Sequence, residues 1–320
     1  MARPRQPRDF TRRHLLTYVG IALLLLVDVG LIAVAIGTSH SANTMSEPGP
    51  IPISETAAPA SSAKPTPTPS ATATAAAVAP TRILSALNAT TAWRATTGAC
   101  PATPASPELT TDSGATWKTT DATGPTKVTA LQRIIVGSPA SATMIGLSQA
   151  GCAPKLVKTF VAGQNFASFP KELASTWFVD PSRRGSVHSP AGDKSAPCPT
   201  VVAIAPRDAK SAGILCADHT AYVTSDAAVT WSRPLAVPGA GNLSASAQGF
   251  VATAAADSRC AGVRLVSLSS VPLVVGTTAC LPLDAVPSAD QIAVSEASGT
   301  LWVWAGGSLK RSGDGGATWQ

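Results

Sequence analysis

Past residue 80, apolar positions come in short β-branched runs broken by Gly, Pro, Asp and Ser. Such runs read as strands and turns, because β-branched and aromatic side chains suit a pleated surface and Gly and Asp suit reversals. The pattern parses into five units. Unit one has strands near Arg82–Leu87 and Ala92–Thr97 and another from Trp117; unit two has Leu131–Gly137, Thr143–Ser148 and Lys155–Val161. Unit three is the clearest, with Val201–Ala205, Ala212–Cys216, Ala221–Thr224 and Trp231–Val237. Unit four has Leu243–Ala247, Phe250–Ala254, Val263–Leu268 and Leu273–Gly276; unit five has Gln291–Ser295, Leu301–Trp304 and Leu309–Arg311. Four strands per unit, at a period of roughly 40–60 residues, match the blade of a β-propeller. The expected fold is all-β, a propeller of about five four-stranded blades over residues 81–320, with six if the long second unit holds two.

Upstream the pattern is different. Residues 1–14 are an arginine-rich head (Arg3, Arg5, Arg8, Arg12, Arg13), and Leu15–Gly37 is an almost unbroken apolar run. That run is long enough to span a bilayer as one helix, and positive charge before it predicts a cytoplasmic amino terminus. Cleavage as a signal peptide, with Ser39 and Ser41 as the exit, is the alternative. Asp28 interrupts the run and reads as a tolerated residue in a simple anchor, or as a contact to a partner helix. Residues 38–80, rich in Ser, Ala, Thr and Pro, cannot bury a core and predict a disordered stalk suited to O-glycosylation. The expected address is the cell membrane, single-pass, with the C-terminal domain extracytoplasmic.

Within the strand region one eight-residue pattern recurs. Ser312-Gly313-Asp314-Gly315-Gly316-Ala317-Thr318-Trp319 has a near-copy at Thr110–Trp117, with Asp112, Gly114, Thr116 and Trp117 at the same offsets. Thr224–Trp231 keeps Asp226, Thr230 and Trp231 without the glycine. A fourth copy is placed at Pro170–Trp177, with Glu172 for the aspartate. An aspartate there can accept from inward-pointing N–H groups of a turn, glycine allows positive φ, and the tryptophan buries a large apolar area. These residues resemble the Asp-box, or bacterial neuraminidase repeat, S/T-x-D-x-G-x-T-W, of β-propellers in sialidases, sortilin-like receptors and assembly factors. The resemblance implies a structural turn on the blade rim, away from any active centre. The last unit stops after Trp319, which leaves three alternatives: Ala75–Pro80 completes it, the ring is open, or it closes with a partner.

The six cysteines, Cys100, Cys152, Cys198, Cys216, Cys260 and Cys280, suggest disulfides in an oxidising compartment. Fifteen connectivities are open. Neighbouring strands bring Cys198 near Cys216, unit four holds Cys260 and Cys280, and Cys100 and Cys152 share similar turn positions. Much of the formal charge of +6 belongs to the arginine head, and no basic stripe with interleaved aromatics occurs, so nucleic acid is not an expected partner. No C-x-x-C, metal-ligand histidine spacing, serine elbow or phosphate loop is present, so no cofactor or metal is expected. A sialidase-like hydrolase would use a tyrosine nucleophile, an acidic partner and an arginine cluster. Past the stalk the one tyrosine is Tyr222, read as packing beside the sheet, and Arg82-Ile83-Leu84 lacks the proline of the Arg-Ile-Pro it resembles. Glu296 and Asp290 are candidate exposed acids, His188 and His219 read as surface or hydrogen-bonded groups, and Arg183-Arg184 lies in a Pro181–Pro199 loop. The reading is a non-catalytic propeller binding a protein or glycan at the cell envelope. The alternatives are a divergent sialidase-like hydrolase and an assembly or secretion partner of a membrane complex.

Overall fold

The computed structural model describes residues 76–254 and 258–320. The arginine head, the apolar run Leu15–Gly37 and all but the last five residues of the stalk lie outside them. Among the described residues no helix is long and apolar enough to cross a membrane. The chain forms radial antiparallel sheets whose strands follow sequence order. Blade one is β1 (Arg82–Ala86), β2 (Ala92–Thr96), β3 (Glu108–Thr110) and β4 (Lys118–Thr119). A single helical turn, α1 (Thr123–Thr126), leads to blade two: β5 (Val128–Val136), β6 (Ala142–Ser148), β7 (Pro154–Thr159) and β8 (Ala167–Ser168). Another turn, α2 (Pro170–Leu173), opens an insert that ends in a two-stranded ladder, β9 (Ser186–Ser189) and β10 (Gly192–Ser195). Blade three is β11 (Val201–Pro206), β12 (Ala212–Cys216), β13 (Thr220–Thr224) and β14 (Leu235–Ala236). Blade four is β15 (Ala240–Ser246), β16 (Gly249–Ala254), β17 (Gly262–Ser270) and β18 (Leu273–Pro282). Blade five has three strands, β19 (Ile292–Ala297), β20 (Thr300–Ala305) and β21 (Ser308–Ser312). The architecture is thus a five-bladed propeller with an insert between blades two and three.

Burial explains the strand patterns. The second strand of a blade is covered on both faces by neighbouring blades, so β12, β16 and β20 are apolar or small throughout and buried along their whole length. The outermost β18 meets solvent and is largely exposed from Val274 to Thr278. Six apolar layers hold the ring. Trp93 and Leu131 lie in the layer between blades one and two, Ile145 and Phe178 between blade two and the insert, and Val187 and Ile214 between the insert and blade three. Leu215 and Phe250 join blades three and four, Leu265 and Val303 blades four and five, and Leu84 and Trp302 blades five and one. The insert therefore fills a radial position of its own, as a blade would.

The alternative in which the end of the stalk completes blade five does not hold. Residues 76–80 form no strand, and Ala77 N–H donates to Ala217 O of blade three (2.7 Å), far from blade five. Thr81 N–H then donates to Asp290 O (2.8 Å), so the stretch crosses one face of the ring before β1 begins. In blade five, Gln320 and Arg311 exchange both backbone hydrogen bonds (2.9 and 3.0 Å). Closure comes from side-by-side packing of blades one and five. Trp302 is fully buried and donates from Nε1 to Asn88 O (3.0 Å), and Ala86 N–H donates to Ser295 Oγ (2.9 Å). The Arg94 guanidinium lies between the rings of Trp117 (4.0 Å) and Trp304 (4.7 Å), and Arg82 covers Trp304 (4.2 Å). Cation–π contact and area burial hold this seam among the described residues. Disulfides Cys100–Cys152, Cys198–Cys216 and Cys260–Cys280 tie blade one to blade two, the end of the insert to β12, and two strands' ends in blade four.

Candidate functional site: the central cavity

The inner strands β1, β5, β11, β15 and β19 stand round a central cavity of about 730 Å³, and Phe178 to Ser182 of the insert complete its wall. Local geometry explains one unusual wall residue, Arg133. Strand β5 carries a bulge between Thr129 and Arg133, with Ala130 at φ 41°. Gly146 on β6 makes room for it, since a Cβ there would stand 2.7 Å from Thr129 O. Beyond the bulge, Ile134 and Val136 face blade one, so Arg133 and Ile135 point the other way, toward the insert. Arg133 Nη1 donates to Trp177 O (3.1 Å). Arg133 lines the cavity and is partly buried, with protein packed densely around its guanidinium. That desolvation lowers its pKa to about 10, which leaves it charged at neutral pH.

The other charged wall residues are engaged. Arg184 Nη1 donates to Val201 O (3.1 Å). Asp180 accepts from Ser182 N–H (2.9 Å), Ser182 Oγ (2.8 Å) and Arg183 Nε (3.4 Å). Burial opposes its charge, but these bonds leave its pKa lowered. Glu296 accepts from Ala247 N–H (2.7 Å) and Gly299 N–H (3.1 Å). Asp290, in the turn before β19 and outside the wall, accepts from Thr81 Oγ1 (3.3 Å). Tyr222 lies in the layer between the insert and blade three and does not line the cavity. His188 is held at both ring nitrogens, Nδ1 against Asp193 Oδ1 (2.5 Å) and Nε2 against Ala174 O (3.2 Å). His219 Nδ1 meets Ala240 O (2.8 Å). Among the described residues no group of three or more His, Cys, Asp or Glu could hold a metal ion.

The repeated octets all lie at the turn after a blade's third strand, away from the cavity. In blade one, Thr110 Oγ1 donates to Asp112 Oδ1 (2.8 Å), Thr116 N–H to the same oxygen (2.9 Å) and Thr116 Oγ1 to Asp112 Oδ2 (2.5 Å). Gly114 N–H donates to Thr110 Oγ1 (2.9 Å). Blade three repeats this with Thr224, Asp226, Ala228 and Thr230, and blade five with Ser312, Asp314, Gly316 and Thr318. The threonine hydroxyl first, then its N–H, hold Asp112 and Asp226 down at about 2, and Asp314 is held well below the usual carboxylate range. The tryptophans Trp117, Trp231 and Trp319 each pack toward the preceding radial layer.

Blade two corrects the sequence alignment. Pro170–Trp177 is not a turn of this kind: it begins with α2, Glu172 pairs with Lys158, and Trp177 Nε1 donates to Asp208 O (2.8 Å). The equivalent turn is Thr159–Phe166. Gly163 N–H donates to Thr159 Oγ1 (2.9 Å), Ala162 and Gly163 have positive φ, and buried Phe166 takes the tryptophan's place. Its signal was the offset of hydroxyl, glycine and aromatic, hidden because Val161 and Asn165 replace the aspartate and threonine.

No family model matches the chain, and no curated protein does. Solved structures similar to it include YCF48 bound to D1 peptide, at 16% identity over 77% of this chain and 81% of that one, with a TM-score of 0.30. A mutant Aleuria aurantia lectin in complex with α-methyl-L-fucoside is 9% identical over 77% of this chain and 95% of that one, TM-score 0.47. The GH74 xyloglucanase from Xanthomonas campestris is 16% identical, TM-score 0.29, with 74% of this chain matched to 37% of that one.

Proposed function

We propose that the protein is a membrane-anchored, extracytoplasmic β-propeller that binds a protein or glycan at the cell envelope, with the central cavity as its binding site. The octets act as Asp-box turns that hold the blades, and the apolar run Leu15–Gly37 acts as the anchor. The observation that carries the binding role is the cavity itself. It has the size of a ligand site, and its wall combines aliphatic side chains with polar and charged groups. Tyr222, the residue a sialidase-like reaction would need, packs against the insert instead. Full-length protein in detergent, used to capture envelope proteins and to probe a glycan array, tests the reading. A specific partner whose crosslinks fall on the cavity rim supports it; a partner crosslinked only to the blades' outer strands, with no glycan bound, overturns the assignment to the cavity. Protease added to intact cells digests the propeller if the anchor holds it outside. Protection of the propeller in intact cells, with digestion after lysis, contradicts the address.

A further inference from the structure

Among the described residues, Arg133 forms no ion pair with a carboxylate. Its guanidinium has five N–H donors, and one bond, to Trp177 O, is made within the described residues. The acids of the cavity wall do not supply the rest: Asp180 is taken by Ser182 and Arg183, and Glu296 by two backbone N–H groups. A partly desolvated guanidinium with donors to spare favours an anionic partner. Three arginines against two carboxylates give the wall a positive balance. Part of the wall is aliphatic: Ile83, Ile135, Val136, Val179 and Ile204 line the cavity and are each partly exposed, beside polar residues such as Gln132 and Asn242. An aromatic platform for a sugar ring is missing from the wall, because Phe178 is 7% exposed and stacks on His188 at 4.4 Å.

We propose that the central cavity binds a carboxylate carried on an aliphatic body, the carboxylate paired two-pronged with Arg133 and the body lying along the isoleucine and valine wall. A guanidinium fork matches a carboxylate's two oxygens, which a hydroxyl or amide cannot replace. The inference rests on the cavity being the ligand site. It concerns Arg133, on the insert side of blade two; Arg82 is stacked on Trp304.

The test uses full-length protein in lipid nanodiscs and ligand-observed NMR or calorimetry. The probes are hexanoate, hexanol, and the peptide Ala-Val-Ala-Val as free acid and as carboxy-terminal amide. The free acids bind, and hexanol and the amide bind at least about tenfold more weakly. Hexanoate and peptide acid together indicate a small aliphatic acid; peptide acid alone indicates a chain terminus; either supports the proposal. Arg133→Gln removes the preference for acid over amide, and Arg133→Lys keeps part of it. Equal binding of acid and amide by the unaltered protein overturns the proposal without relying on any variant. Failure of every probe also overturns it, while an envelope partner crosslinked at the cavity rim would leave the binding function standing.

Discussion

At the scale of single residues, the octet carboxylates do their work by accepting hydrogen bonds at both oxygens. Asp112 and Asp226 are held at about 2, below the ordinary value near 4 of an unfolded chain. A depressed folded-state pKa means that the stabilisation is present above the unfolded value and is lost as pH falls through the folded one. Asp112→Ala should therefore lower the melting temperature at pH 7, with the difference from the parent shrinking between about pH 4 and 2. A constant difference down to pH 2 would contradict the hydrogen-bonding role. The neighbouring glycines separate backbone freedom from space. Gly315 and Gly316 both have positive φ, but a Cβ on Gly316 would stand 2.5 Å from Ala279 Cβ, and one on Gly315 meets nothing within 4 Å. Ala227 already occupies the position equivalent to Gly315 in blade three, at φ 60°. Gly316→Ala should cost about 1–3 kcal/mol, and Gly315→Ala clearly less, in paired denaturant titrations. Equal costs would mean that the close approach is not what requires glycine at 316.

At the scale of elements, the insert matters most. Its own ladder is short, β9 with β10 and a bridge from Phe178 to His188, so most of its stability must come from what it leans on. Phe178 packs on Ile145 and Leu156 of blade two, Val187 on blade three, and Cys198–Cys216 fastens its end to β12. Cys198→Ser with Cys216→Ser should lower stability by about 2–4 kcal/mol. Hydrogen exchange should rise first in residues 178–195, while blade five keeps its protection. Uniform loosening of the ring would show that the insert is not a separable unit. Most strands of the regular blades were legible from their alternation and β-branched content, but the short β3 and β8 were not, since two or three residues carry no alternation. The insert was not, because its apolar residues are sparse and its fold depends on the two blades beside it.

For the whole molecule, closure rests on the seam between blades one and five. Trp302 is its centre, fully buried and hydrogen-bonded to Asn88 O across the seam. Trp302→Ala removes that bond and leaves a large void, so a loss of about 3–5 kcal/mol is expected in urea unfolding. Exchange protection should fall together in β1, β2, β19 and β20, since these share the layer. A loss below about 1 kcal/mol would show that the ring is held by its other five layers and closes passively. The cavity depends on the same closure, because its wall is made from strands of every blade.

The chain's own pattern determined the blade unit, its repetition and the turn that ends its third strand, because these depend on residues within about one hairpin of each other. Hydroxyl, aspartate, glycine and tryptophan at fixed offsets are a local device, legible wherever all four survive. Where Thr159–Phe166 lost the aspartate, the backbone geometry persisted and the signal did not. Tertiary structure alone decided that the insert takes a radial place, that blades one and five meet through tryptophan and arginine, and that Arg133 lines the central cavity. Each of those outcomes joins residues remote in sequence, such as Asn88 with Trp302 and Arg133 with Trp177. Packing and desolvation between distant segments decide them, and no short stretch of sequence encodes either.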